Sequence, residues 1–404
     1  MTQAWIVLLY LVGVPYLGLM SLVVLGMLRR PPGRGPRGAL SVSVVIPAHD
    51  EERNLAANLA SLADQRYAGP LEFVIVDDRS TDGTRAIVER FAARDPRFRL
   101  AVVREPSRRL SPKVNAVERG IQVSRGEIVL ASDADCRYPP GWVDAMVSYF
   151  APDVAMVVGY VETSRKGAAR SWLRRFESAD WFTLMLTSRS LSRFGWKFAS
   201  SANNLAYRRS AFDAVGGFGT AGRAPSGDED LLTQAMRRLP HMRVVFADAP
   251  AARVLTEPAP SARTLLRQRR RWVSRYHHVM HYHPAFLLGI AVLGAQSVAL
   301  SVSVLLAPFV PGLAPWVVGL WGAKAAIEFL GMGIGTAQLD RRDLWGRTTL
   351  FWSALHPFFI AASVIGSFLK PSAWHAGAAS YRRRFLRRRV REWRRRLRDT
   401  LASS

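Results

Sequence analysis

Cysteine is almost missing from this chain: Cys136 is the single one in 404 residues. That excludes an internal disulfide and leaves no cysteine cluster of the kind that holds zinc. Acid is scarce too, with 31 Asp and Glu against 56 Lys and Arg, so the net charge is +25. No internal repeat is visible, and low complexity is confined to a Pro/Gly/Arg stretch after residue 28 and an Arg-rich C-terminus.

Charge is absent altogether between Trp5 and Leu28. At 1.5 Å per residue this run is long enough to cross a bilayer core of ~30 Å. It lacks a small-residue cleavage site, and its basic residues follow it rather than precede it, which favours a membrane anchor over a signal peptide. Three more apolar runs follow, Ala285 to Val310, Leu313 to Gly335 and Leu350 to Leu369. Lys324 and Glu328 in one and His356 in another must face protein or water, or pair, and a spacing of four puts Lys324 and Glu328 on one helix face.

The excess positive charge lies beside these runs, in "RRPPGRGPR", "RQRRRWVSR" and "YRRRFLRRRVREWRRRLR". Arg-rich stretches can bind nucleic acid or be solvated tails. Their position at membrane boundaries favours anionic membrane lipids on the cytoplasmic side instead, and no nucleic acid is expected as a partner. The N-terminus is then outside and the central segment cytoplasmic. Four full crossings would leave the basic tail outside, against the same rule. His356 and Pro357 therefore mark Leu350–Leu369 as re-entrant or interfacial, giving three or four crossings and a cytoplasmic tail. The organisation expected is a membrane helix over 1–29, a basic linker over 30–40 and an α/β domain over 41–260. An amphipathic interfacial helix over 261–284 follows, then two or three transmembrane or re-entrant helices over 285–370, then the tail over 371–404.

Within the α/β domain, "SVSVVIPAHD", "LEFVIVDD", "FRLAVVRE" and "EIVLASDAD" are short runs rich in β-branched residues that end in polar ones. They alternate with helical segments from Glu51, Ser80 and Lys113, the pattern of a doubly wound, mostly parallel sheet. Such sheets bind ligands beyond the carboxyl ends of their strands, where His49, Asp78, Asp133 and Asp135 stand. "VAMVVGYVET" and "RVVFADAPAARVLTE" predict further strands, and "SWLRRFESADWFTLMLTSR" an aromatic-rich helix.

Asp133 and Asp135 are either two solvated turn acids or a clamp for a divalent cation bridging a diphosphate. If extended, residues i and i+2 project to one side, and carboxylate oxygens suit Mg²⁺ or Mn²⁺. Asp78 can accept hydrogen bonds from a base or ribose. Lys113, after Pro112, can reach a phosphate or be an ordinary surface lysine. "GDED" places Asp228, Glu229 and Asp230 at a helix start, where acids stabilise the dipole or one serves as general base. "QRRRW", Gln268 to Trp272, is a basic membrane-surface helix, or a Gln/Arg/Trp set closing over a sugar and a diphosphate; Arg269 and Arg270 need be no more than surface charge. His277, His278, His281 and His283 sit among interfacial aromatics, which accounts for them without a metal.

In this order, "VVIPAHDEE", "VDDRSTDGT", "SDAD", "NNLAYRR…VGGF", "GDED" and "QRRRW" resemble the family 2 glycosyltransferases over roughly Ser41 to Trp272. The closer likeness is to their membrane-bound branch, which includes cellulose, hyaluronan and chitin synthases and glucosylceramide-type enzymes. The resemblance implies a glycosyltransferase-A fold and inverting transfer from a nucleotide sugar, UDP-linked, to a lipid or glycan. It implies Pro47, His49, Glu51 and Asp78 around the nucleotide, Lys113 near the nucleotide or diphosphate, and Asp133 and Asp135 on Mg²⁺ or Mn²⁺. It places the base in "GDED", and Gln268, Arg271 and Trp272 over donor and acceptor, with Asn203 and Asn204 on the acceptor side. The chain departs from the family's acidic pair after glycine: Asp228-Glu229-Asp230 puts Glu229 in the base position without a gap, and Asp230 there with a one-residue shift that keeps the Glu-Asp order. It also has fewer apolar runs than polymer synthases that form an export channel, which favours transfer of one or a few sugars. A nucleotidyltransferase could share the sheet and the acids but would not need "QRRRW" beside a membrane. A scaffold would leave the acids incidental.

Overall fold

A computed structural model of the chain describes residues 2–35, 40–107, 110–163, 171–196, 202–219, 228–273 and 284–369. Four helices are long and apolar enough to cross a membrane. The first, α1 (Thr2–Leu28), leads into the α/β domain. There β1 (Val42–Ala48), α2 (Glu52–Ala63), β2 (Leu71–Asp77), α3 (Thr84–Ala92), β3 (Phe98–Val102), α4 (Pro112–Val123) and β4 (Ile128–Ala131) alternate as the pattern predicts. Buried apolar residues line both faces of β1: Val42, Val44 and Ile46 pack with Leu55, Leu59 and Leu62 of α2, while Val45 packs with Val114, Val117 and Ile121 of α4. Burial on both sides is why these strands read as continuous apolar runs.

The rest of the domain differs from the sequence reading. After α5 (Trp142–Val147), "VAMVVGYVET" is two strands, β5 (Val154–Gly159) and β6 (Val161–Thr163), in two sheets and separated by Tyr160. The helix α6 (Trp172–Ser192) follows, then β7 (Leu205–Arg208), α7 (Arg209–Ala214), α8 (Asp228–Met236) and β8 (Arg243–Ala247). "RVVFADAPAARVLTE" is likewise split, by a turn of 3₁₀ helix at Pro250–Ala252, into β8 and β9 (Val254–Thr256). The main sheet has the order β3-β2-β1-β4-β7-β5-β8, and β6 pairs with β9 apart from it. β7 runs antiparallel to both neighbours, and the other pairings in the main sheet are parallel. β1 has β2 on one side and β4 on the other, so the chain reverses its direction of progress there and opens a crevice beyond their ends.

Of the segment expected to form an interfacial helix over 261–284, the described part is α9 (Ala262–Val273), and the remaining apolar helices are α10 (Pro284–Leu306), α11 (Ala314–Gln338) and α12 (Arg347–Leu369). Lys324 and Glu328, on one helix face as their spacing predicts, pair at 2.6 Å, and both are buried. The Tyr16 hydroxyl donates to Glu328, and Lys324 donates to the Ser353 carbonyl at 2.9 Å, so the pair joins α1, α11 and α12. The α/β domain is tied to these helices by Arg193, whose guanidinium donates to the carbonyls of Gly26 and Met27 at the end of α1, at 3.1 and 3.0 Å. Gly26 is obligatory at that joint, because a Cβ would stand 2.4 Å from the Ser190 carbonyl oxygen. The tail 371–404 and His277, His278, His281 and His283 lie outside the described residues.

Candidate active site

The loops leaving β1 and β2 interlock. Asp50 accepts from the Thr81 amide at 2.7 Å, the Glu51 amide donates to Thr84 Oγ1 at 2.8 Å, and Glu52 accepts from the Gly83 amide at 3.0 Å. Asp50 and Arg79 both turn with positive φ, 54° and 61°. Such a backbone is uncommon outside glycine and here is held by the lacing on either side. His49 Nδ1 lies 2.7 Å from the Asp78 carbonyl oxygen, and Pro47 faces Val76 across the β1–β2 ladder. The Asp78 carboxylate is buried and held by Arg79 at 2.6 Å. Burial raises its pKa and the arginine opposes that.

β4 ends at Ala131, and Asp133 and Asp135 lie on the turn after it, not in extended strand; the Cys136 amide closes this turn on the Asp133 carbonyl at 3.2 Å. The i, i+2 argument therefore does not apply as stated, although the two carboxylates remain electrostatic neighbours. Lys113, at the first turn of α4, reaches Asp133 Oδ1 at 2.5 Å. The Asp135 pKa is pushed up to about 6, by burial first and then by the negative charges of Asp133 and Glu51. Thr256 Oγ1 lies 3.4 Å from Asp135 Oδ2, so β9 also supports the turn. The crevice between β1 and β4 thus gathers Glu51, Asp133, Asp135 and Lys113.

Asn58 holds this turn and escaped the sequence reading. Fully buried on α2, it donates to the carbonyls of Asp133 at 3.1 Å and Cys136 at 2.9 Å. A signal was present: Asn58 falls at the spacing of Leu55, Leu59 and Leu62, a polar residue on an apolar helix face. Cys136 beside the acids is buried, and burial pushes its thiol up.

Asn204 is placed otherwise than expected. It is wholly buried, with its amide donating to the carbonyls of Tyr160 and Ala252 at 3.0 and 2.8 Å and accepting from Trp142 Nε1 at 3.0 Å. It presents nothing to an acceptor and is a brace among β5, β7 and the "YPPGW" turn. Asn203 is half-buried; its carbonyl accepts from Ser132, next to the aspartates, and its amide lies 3.5 Å from Cys136 Sγ.

Of the acids in "GDED", Asp230 is buried in the first turns of α8 and Glu229 half-buried; the side chain of Asp228 lies outside the described residues. α8 packs on β5 and β8, and Thr233 there reaches the Met156 sulfur at 3.3 Å. On α9, Gln268, Arg271 and Trp272 are all half-buried. Arg269 is not the surface charge that the sequence allows. It is buried, paired with Asp180 of α6, and its guanidinium lies 4.0 Å from the centre of the Trp272 ring. Among the described residues no group of three or more His, Cys, Asp or Glu side chains has the geometry to hold a metal. Two carboxylates, Asp133 and Asp135, are what the turn offers.

A parallel-dominated sheet with acids beyond its switch point, beside apolar helices, defines an α/β fold with an acidic crevice at its strand ends. Residues 43–216 match the glycosyl transferase family 2 domain. An N-acetylglucosaminyltransferase of Bradyrhizobium elkanii is 33% identical over 138 residues, covering 33% of this chain and 72% of that protein. Another N-acetylglucosaminyltransferase, from Sinorhizobium fredii, is 30% identical over 184 residues, covering 45% of this chain but 43% of its own length. This chain thus spans less than half of that relative. The chain belongs to the family 2 glycosyltransferases. In fold it is similar to a mannosyltransferase from Pyrobaculum calidifontis, solved in complex with GDP-Man and Mn²⁺, with a TM-score of 0.60 at 18% identity, covering 91% of this chain and 99% of that one. The glycosyltransferase-A type of fold that the motifs imply is the one present.

Proposed function

We propose that the protein is a membrane-bound inverting glycosyltransferase that moves a sugar from a UDP-linked donor to a lipid or glycan acceptor at the cytoplasmic membrane face. One observation carries this reading: Lys113, Asp133, Asp135 and Glu51 meet in the crevice between β1 and β4. Two carboxylates crowded with a third acid, with the Asp135 pKa raised by burial and by the charges of Asp133 and Glu51, suit a divalent cation, Mg²⁺ or Mn²⁺, bound by Asp135 and Asp133. Mg²⁺ commonly takes one or two protein carboxylates and completes its shell with water and substrate phosphates. When bound, such an ion offsets charge on a departing diphosphate.

The chain's own groups supply the remainder. Pro47, His49, Glu51 and Asp78 line the nucleotide side. The Lys113 ammonium, now on Asp133, is within reach of a phosphate entering that crevice. Asp230 takes the proton of the acceptor hydroxyl as it attacks the anomeric carbon opposite the diphosphate. Gln268, Arg271 and Trp272 close over the sugar. The four apolar helices suit an acceptor that arrives along the membrane, and their small number favours transfer of one or a few sugars over extrusion of a polymer.

The relatives named for N-acetylglucosaminyl transfer make UDP-N-acetylglucosamine the first donor to try, and the fold neighbour makes GDP-mannose the second. Full-length protein in lipid vesicles, given labelled donors and Mn²⁺, should release nucleotide diphosphate and label a lipid-extractable product. Asp135→Ala should lower turnover by at least about 10²-fold, the scale for losing a group that stabilises transition-state charge. Undiminished turnover of Asp135→Ala in chelator would remove the metal from this reading.

A further inference from the structure

Trp272 is held from outside its own motif. The Asp180 carboxylate, buried on α6, accepts from Arg269 Nε at 2.8 Å and from Arg269 Nη2. Both bonds converge on one carboxylate oxygen, Oδ2, which holds the edge of the guanidinium in place. The Arg269 Cζ lies 4.0 Å from the centre of the Trp272 ring, and Arg269 Nη1 donates to Gln268 Oε1 at 3.3 Å. The residue after Asp180 completes the arrangement: Trp181 meets Trp272 edge-on, with ring centres 5.1 Å apart at 81°. The other Asp180 oxygen lies 3.6 Å from His356 Nε2 of α12. Trp272 nonetheless remains half-buried.

We infer that Asp180 is a positioning residue for transfer. Through Arg269 it orients Gln268 and Trp272, and through His356 it ties that orientation to α12. The inference rests on the proposed role of Trp272 over the sugar, but the positioning itself does not depend on it. A surface lysine at 269 would leave the indole free to rotate, whereas an arginine clamped by a carboxylate gives it a flat cationic wall. The energetic argument points the same way. A buried charged pair is weak evidence for stability, because desolvation cancels most of its attraction, and fixing one conformation is the better-attested use.

The test compares five full-length proteins: wild type, Asp180→Asn, Asp180→Glu, Trp272→Phe and the Asp180→Asn/Trp272→Phe double variant. Subtracting the fluorescence of each Trp272→Phe protein from that of its parent isolates the Trp272 signal. Acrylamide should quench that signal more readily in the Asp180→Asn background. This readout needs no substrate. In turnover, Asp180→Asn should lose about 10²-fold in kcat, the effect of a misplaced group near the reacting atoms, with the donor KM little changed. Asp180→Glu should recover part of that loss, and Asp180→Asn should cost little more once Trp272 is Phe, since residues acting through one another are not additive. Unchanged quenching overturns the inference, as do losses in kcat that multiply in the double variant. If even wild type transfers no sugar, the proposed function fails alone, and the quenching result still decides the positioning.

Discussion

At the scale of single residues, the acids divide by environment. Asp135 is crowded by Asp133 and Glu51, which fits holding a cation better than moving a proton. Asp230 is buried at the start of a helix and stands apart in sequence from that cluster. The expected outcome is that Asp230→Asn loses about 10²–10⁴-fold in kcat, the usual worth of a general base. Glu229→Gln should stay within a few-fold, and both should keep donor affinity by equilibrium binding of the nucleotide sugar. The reverse ranking would put the base at Glu229, where the alignment without a gap places it. Most of these residues were legible as letters, because acids that end apolar strands have no packing reason to be there. Their supports were not legible. Arg269 reads as one more arginine in a basic run, and only the partner at Asp180, 89 positions away, turns it into a buried group. Single-chain pattern carries no such pairing.

At the scale of elements, the parallel half of the sheet was readable and the antiparallel strand was not. β1, β2 and β4 are buried on both faces over most of their length and so carry a nearly continuous apolar signal, while β3, at the sheet's edge, is largely half-buried. β7 is four residues long, begins after two asparagines and ends in arginines, so its pattern is that of a loop. Its place comes from Asn204, whose amide bridges Tyr160, Ala252 and Trp142. That amide also packs against Gly159, where a Cβ would stand 2.1 Å from it. Asn204→Leu keeps the volume and strands the Ala252 carbonyl and the Trp142 indole N–H in a dry interior, while the Tyr160 carbonyl keeps the Val254 amide. At about 1–3 kcal/mol for each buried group left unpaired, the variant should unfold well below wild type in a thermal melt. Asn203→Ala, at a half-buried position, should melt near wild type. Equal melting of the two variants would mean that Asn204 is not the brace described.

At the scale of the whole molecule, the question is how an α/β domain stays registered on its four described apolar helices. The contacts at the domain end are Arg193 on α1, Arg341 with Glu162 of β6 at 2.9 Å, and Asp180 with His356 of α12. Arg341 lies in the turn between α11 and α12, and β6 pairs with β9, which carries Thr256 to Asp135. The helices are themselves locked by Lys324 and Glu328, whose spacing in the sequence placed them on one helix face and left pairing as one of the ways to bury them. Which effect wins there can be measured. Removing Lys324 alone leaves a carboxylate buried against Tyr16 and Ser353, and breaking a buried pair from one side costs about 3–5 kcal/mol. Removing both charges costs only the shared hydrogen bonds, about 0.6 kcal/mol each between membrane helices. Lys324→Met should therefore lower the thermal aggregation midpoint of detergent-solubilised protein, and Lys324→Met with Glu328→Gln should recover much of the loss. A double variant less stable than the single would mean that Glu328 contributes through Tyr16 and Ser353 independently of Lys324. The joint would then be a hydrogen-bonded hub among α1, α11 and α12 rather than an ion pair.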